Sequence, residues 1–229
     1  LRKYIALDLE ISTPIPEGAT DWQLYRPFGV ACVVTKGSDH QYPLMWFEPG
    51  FGLRMTAALF LQLAMYLDGM IRKGYTLLTF NGAGFDFNVL QEEYPGGAWG
   101  KLAPIHVDLF FHIFCAKGYC RGLDTLARGA GLTGKPEGVD GARAPQMWLD
   151  GRYHEVLDYC AADVEMTLGL AEAGEGQGCV RWLAKSGKED GIDLVDGWLT
   201  VGQAMRLPEP DNSWMSNPWP RSKFIGWLK

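Results

Sequence analysis

Long apolar runs are missing from this 229-residue chain: none approaches the roughly 20 residues that cross a bilayer, so a membrane is not expected as a partner. No signal-peptide pattern opens it, and because it begins with Leu1 rather than Met, leading residues are expected to have been removed or omitted. Paired CxxC cysteines are missing too. Cys32, Cys115, Cys120, Cys160 and Cys179 are odd in number and sit in apolar company, which points to buried free thiols in a reducing compartment, the cytoplasm. Excess positive charge is also absent. The net charge of −6 excludes a general polyanion-binding face, and residues 1–180 hold 14 Lys and Arg against 21 Asp and Glu. Any nucleic acid must then be attracted locally, through bound cations and a few placed basic groups. What is present is 47% hydrophobic residues, enough for a substantial core in one large domain or a domain with an appendage.

Residues 3–9 alternate as a strand, with Tyr4, Ala6, Asp8 and Glu10 on one face and Ile5, Leu7 and Leu9 on the other. A loop at 12–21 precedes strand-like runs at 28–35 and 41–47. The spacing of Leu59, Leu63, Leu67 and Met70 predicts an amphipathic helix between Thr56, as N-cap, and Gly74. Strand character returns at 75–80, a short helix starts at Phe85, and a short strand at 105–107 leads into a helix near Asp108. Leu123 to Ala130 reads as helix, 133–145 as a glycine-rich loop, and 151–173 as a helix with the stripe Val156, Cys160, Val164, Thr167 and Ala171. After Gly178 come short strand-like pieces and Trp-rich loops. This order implies an α/β domain on a mixed sheet, residues 1–178, with a C-terminal extension, 179–229, packing on it.

Acidic residues carry the chemical signal. Asp8 and Glu10, two apart on a strand, point the same way, as they also would if the strand were simply emerging into solvent. Asp86 follows the turn Asn-Gly-Ala-Gly-Phe, where a helix-capping acid is the plainer alternative. Tyr159 and Asp163 leave one face of a helix, and Asp163 lies between the apolar neighbours Ala162 and Val164. Each alone is ordinary; together they conflict electrostatically. Two carboxylates ~4 Å apart repel by roughly 4 kcal/mol at an effective dielectric of 20. A pair of divalent cations removes that conflict, and oxygen-only ligation suits Mg²⁺ or Mn²⁺; with His and Cys outside the set, zinc is disfavoured.

DLE at 8–10, NGAGFD at 81–86 and YCAAD at 159–163 resemble, in order and spacing, the three motifs of DnaQ-like (DEDD) 3′–5′ exonucleases. The tyrosine four residues before the last aspartate is similar to the DEDDy subgroup, which includes proofreading domains of family B DNA polymerases. The histidine subgroup would need His at 158, where this chain has Asp158. The resemblance covers roughly residues 3–175 and implies a ribonuclease-H-like fold with two metal ions. It also implies roles: Asp8 bridges the ions, Glu10 and Asp163 complete the first site, Asp86 holds the second, and Tyr159 orients the attacking water. A single-stranded nucleic acid with a free 3′ end is the implied partner, DNA favoured over RNA. Asn81 and Phe85 are expected to border the nucleotide, and Lys135 to meet a phosphate or remain solvated.

Other residues read more plainly. Asp108 is expected as an N-cap, His106 and His112 as structural histidines, and Glu155 as a surface acid. Five of nine tryptophans, Trp182, Trp198, Trp214, Trp219 and Trp227, fall after residue 178, where packing is favoured over base stacking. A non-catalytic binding module and an endonuclease of related fold remain alternatives at this stage.

Overall fold

The computed structural model describes residues 2–19, 21–134, 141–184 and 187–228. Its centre is strand β1 (Tyr4–Ile11), followed by β2 (Val30–Gly37) and β3 (Leu44–Phe47). Helix α1 (Ala57–Arg72) leads to β4 (Thr76–Thr79), α2 (Asp86–Glu93), α3 (Trp99–Leu102) and β5 (Val107–Asp108). These strands make one sheet ordered β3-β2-β1-β4-β5, antiparallel from β3 to β1 and parallel from β1 to β5. The chain continues through α4 (Leu109–Lys117), α5 (Leu123–Gly129), α6 (Ala144–Leu149) and α7 (Tyr153–Gln177). A two-stranded sheet of β6 (Cys179–Leu183) and β7 (Glu189–Asp193) and the short α8 (Val201–Ala204) and α9 (Ser222–Ile225) complete it. The result is the expected α/β architecture with a mixed sheet flanked by helices.

The period-2 pattern of β1 decides what each face meets. Ile5, Leu7 and Leu9 enter a core with Leu63 and Leu67 of α1 and Phe87 and Leu90 of α2. Tyr4 and Ala6 enter a second core with Val164 and Leu170 of α7. Both faces are thus covered, each buried large aliphatic side chain contributing ~1.5–3 kcal/mol. Asp8 and Glu10 continue the α7 face, so the strand delivers them beneath that helix. Trp182 and Trp198 are buried in the same core as Val164, whereas Trp214 and Trp219 are exposed. The Arg221 guanidinium ties the final segment down by donating to the carbonyls of Cys115, Met205, Leu207 and Pro208 at 2.8–3.0 Å.

Some boundaries differ from the sequence reading. Helix α7 starts at Tyr153 and continues past 173 to Gln177, where Gly178 ends it in the left-handed conformation (φ 68°). Helix α6 occupies ground that read as the end of a loop, because Pro145 suits a helix start and Met147 and Trp148 are buried. Thr56 holds the N-cap position of α1 without a side-chain hydrogen bond. Among the described residues no helix is long and apolar enough to cross a membrane.

Leu63 is fully buried between α1 and the sheet. Leu63→Ala is expected to lower the unfolding free energy by ~2–5 kcal/mol, read as a lower urea midpoint with an unchanged slope.

Candidate active site

Strand β1 carries the first two acids to its end, where its register with β2 shifts between Glu10 and Ile11. Glu10 is buried and Asp8 half-buried. The Cys160 thiol on α7 donates to Asp8 Oδ2 at 3.3 Å, and one ligand atom each of Asp8, Glu10 and Cys160 lie within 4.8 Å of one another. Burial pushes the Glu10 carboxyl well above the usual carboxylate range, and the neighbouring Asp8, Cys32, Asp163 and Asp86 add to the rise. Cys160 corrects the expectation that no cysteine belongs to the acidic set: its side chain turns from the α7 stripe into the cluster. Burial also raises the Cys160 thiol well above its usual value, so it serves as a neutral hydrogen-bond donor.

Asp86 comes from the turn between β4 and α2. Asn81 adopts φ 71°, which asparagine tolerates better than most residues. The glycines therefore serve close approach rather than unusual dihedrals. A Cβ at Gly82 would meet the Thr79 side chain at 2.4 Å, and one at Gly84 would meet Phe224 and Asn81 Oδ1 at 2.8 Å. Asp108 fixes the turn from below. Its Oδ1 accepts from Asn81 N at 2.9 Å and Phe111 N at 3.0 Å, and its Oδ2 from Ala83 N at 2.8 Å. Burial brings the Asp108 carboxyl up to about 6 despite those donors. From the other side Trp227 Nε1 donates to Ala83 O at 2.7 Å. Held this way, the turn ends in a buried Asp86 at the first position of α2, with no side-chain hydrogen bond at the preceding cap residue, Phe85. Burial and then the Asp8 charge push the Asp86 carboxyl well up, and its Oδ1 has no hydrogen-bond partner.

Tyr159 and Asp163 are half-buried, one turn apart on α7. Asp8, Glu10, Asp86 and Asp163 line one cleft of about 860 Å³, with Phe80, Asn81 and Phe85 in its wall. Tyr159 stands at the border: a Cβ on Gly141, a residue of the cleft rim, would come within 3.2 Å of its hydroxyl. Phe85 packs against Phe28 and Trp22, ring centroids 6.3 and 5.9 Å away. Lys135 lies outside the described residues. The donor set fits divalent cations of the Mg²⁺ type, because carboxylates from three elements, two buried and two half-buried, line one cleft and Asp86 Oδ1 is an unsatisfied oxygen. Asp8 and Glu10 are the tight pair; Asp86 and Asp163 share the cleft and the electrostatics.

The family model of the RNase H superfamily matches residues 54–173, over half of the chain. The chain belongs to the RNase H superfamily. The match includes the Asn81–Asp86 turn, Tyr159 and Asp163, while Asp8 and Glu10 precede it. No curated protein matches the chain. Among solved structures it is similar to the family B DNA polymerase from the hyperthermophilic archaeon Pyrobaculum calidifontis, with a TM-score of 0.53 and 20% identity over 76% of this chain. It spans 25% of that polymerase chain, and at this identity the likeness is one of fold.

Around this RNase H superfamily site, several residues behave as the sequence suggested. His106 is buried between Thr79 Oγ1 (2.9 Å) and Ala103 O (2.6 Å), and burial lowers it to about 4. His112 accepts from Leu199 N at 3.3 Å. Glu155 pairs with Arg152 on the surface. Two contributors were not visible beforehand: Cys160 as donor to Asp8, and Trp227 as the tie on Ala83. Of the two, only Cys160, next to Tyr159 in the YCAAD motif, offered a local signal.

Two outcomes are expected. Asp108→Asn replaces an all-acceptor group facing three N–H donors, so stability should fall by ~1–3 kcal/mol in urea titration. Glu10 and Asp86 bind protons more tightly folded than unfolded, where they titrate near 4.5 and 3.8. Stability of the metal-free chain should therefore decline as pH rises above that range. Saturating Mn²⁺ at neutral pH should reverse the decline and raise Tm by roughly 5–10 °C at a hundredfold excess over Kd. Identical melting curves in Mn²⁺ and in chelator would exclude cation binding by these acids.

Proposed function

We propose that the chain is a 3′–5′ exonuclease of the DEDDy type, acting on single-stranded nucleic acid, DNA before RNA, and releasing nucleoside 5′-monophosphates. One observation carries this reading: acids from β1, α2 and α7 line one cleft of an RNase-H-like sheet, with a tyrosine one helical turn before the last. Nuclease chemistry is in keeping with the superfamily, and the order and spacing of the DLE, NGAGFD and YCAAD motifs support an exonuclease within it.

Asp8, Glu10, Asp86 and Asp163 would hold the divalent cations, Mg²⁺ or Mn²⁺, which supply Lewis-acid activation of water and neutralisation of charge at the leaving oxygen. The chain's own residues do the positioning. Tyr159 directs its hydroxyl to the attacking water as an orienting group. Asp108 and Trp227 hold the turn that presents Asp86, and Asn81 and Phe85 form the wall against which the terminal nucleotide rests. Water adds to phosphorus, the bond from phosphorus to the 3′-oxygen of the preceding nucleotide breaks, and that oxygen takes up a proton. Residues 1–178 would form the nuclease domain and 179–229 an extension packed on it, in line with the buried Trp182 and Trp198. The five cysteines are free, which agrees with a reducing cytoplasm.

Asp8→Ala and Asp163→Ala are expected to abolish Mg²⁺-dependent degradation while the circular dichroism of the folded chain is retained. Tyr159→Phe should slow turnover by roughly a hundredfold with metal affinity nearly intact. Oligonucleotides labelled at the 3′ or the 5′ end decide the direction. Early release of the 3′ label as mononucleotide is the expected result; internal fragments would mean an endonuclease, and no cleavage a binding module.

A further inference from the structure

The cleft is asymmetric in charge. Its floor holds the four acids, and the lip at residues 15–19 adds Glu17. The opposite lip, 141–145, carries Arg143, the one cation among the described residues lining the cleft. Arg143 is exposed, and its guanidinium makes no ion pair or hydrogen bond among the described residues. Several other arginines are engaged: Arg26 pairs with Glu92 at 2.5 Å, Arg152 with Glu155 at 2.6 Å, and Arg221 with backbone carbonyls. The Arg143 lip is anchored, because Ala144, Met147 and Trp148 are buried against Cys32 of β2 and Leu157 of α7.

We propose that Arg143 binds a phosphodiester group of the substrate strand, one upstream of the linkage being cut, and so sets the backbone path along the 141–145 lip. This rests on the nuclease reading above. The reacting phosphate must reach the floor, where Glu10 and Asp86 are buried, whereas Arg143 sits at the open rim. Cations on the floor offset the acids there but leave the rest of the strand uncompensated. A guanidinium keeps its charge at any working pH and meets two phosphate oxygens at once. Across the cleft, Glu17 repels the backbone, while Ile15 and Phe85, packed in the core with Trp22 and Phe28, offer apolar surface to sugar and base. Phosphates on one lip and bases toward the other follow from that division.

The test measures binding of a fluorescent single-stranded oligonucleotide to the full chain by anisotropy, in Ca²⁺, over a range of salt. Arg143→Ala is expected to weaken binding about tenfold and to reduce the slope of log affinity against log salt by about 0.7. Arg143→Lys should keep the slope and lose part of the affinity. Neutral methylphosphonates are then placed one linkage at a time near the 3′ end. One position should cost the unsubstituted chain about tenfold and cost the Ala variant nothing. Equal affinity and slope in the Ala variant, or equal sensitivity to every methylphosphonate, would overturn the assignment. Tight binding by a chain that cuts nothing would remove the nuclease reading and leave the Arg143 contact standing. No binding by the unsubstituted chain would remove both.

Discussion

Buried carboxylates held against one another are the constraint around which this fold is organised. Glu10 and Asp86 are buried, Asp8 is half-buried, and the charge of Asp8 raises the cost of ionising both. A chain left to minimise its own free energy would replace such a set with apolar residues, since isolated charges gain nothing from a low dielectric. Keeping them requires rigid support from several directions. The central strand supplies two acids beneath α7, a turn pinned by Asp108 and Trp227 supplies the third, and α7 itself supplies the fourth. On the proposed reading, that same repulsion would give divalent cations their purchase on the site.

Much of this was legible because it follows local periods. Alternation in β1 placed Asp8 and Glu10 together and opposite Leu7 and Leu9, and four-residue spacing placed Tyr159 over Asp163. Asp108 was legible as a cap, since an aspartate between a short strand and an apolar helix has few other uses. Its reach to Asn81 and Ala83 was not, because those contacts span 27 and 25 residues and leave no periodic trace. Cys160 was hidden by its own surroundings: a cysteine in an apolar helical stripe reads as packing, and only the third dimension reveals Asp8 at its sulfur. In the Asn81–Asp86 turn Asn81 takes the positive φ, and the glycines make room for Thr79 and Phe224, a division of roles that spacing alone does not reveal.

The final segment lies beyond the region that the superfamily model matches, yet it touches the site. Phe224 packs on Gly84 and among Phe110, Phe111 and Phe114, and Trp227 donates to Ala83. Arg221 satisfies four carbonyls and holds α9 in place from the loop side. A turn that must present a buried, unsatisfied carboxylate has every reason to relax away from it. Backbone hydrogen bonds from Asp108 on one side and Trp227 on the other deny it that freedom. Residues far along the chain are therefore as much a part of Asp86's environment as its own helix.

Charge balance carries this logic from the floor to the rim. An acidic chain gains little from long-range attraction to a polyanion, so whatever affinity it has must come from contacts inside the cleft. On the nuclease reading, the floor would attract a strand only once cations offset the four acids, so that recognition would depend on the same ions as chemistry. The rim is different, because an arginine, Arg143, stands there instead of acids. On the proposed reading, a strand would be held first by the arginine at the open lip and drawn down only with cations on the floor. Holding and cutting would then be separated by where one arginine and four carboxylates sit relative to solvent.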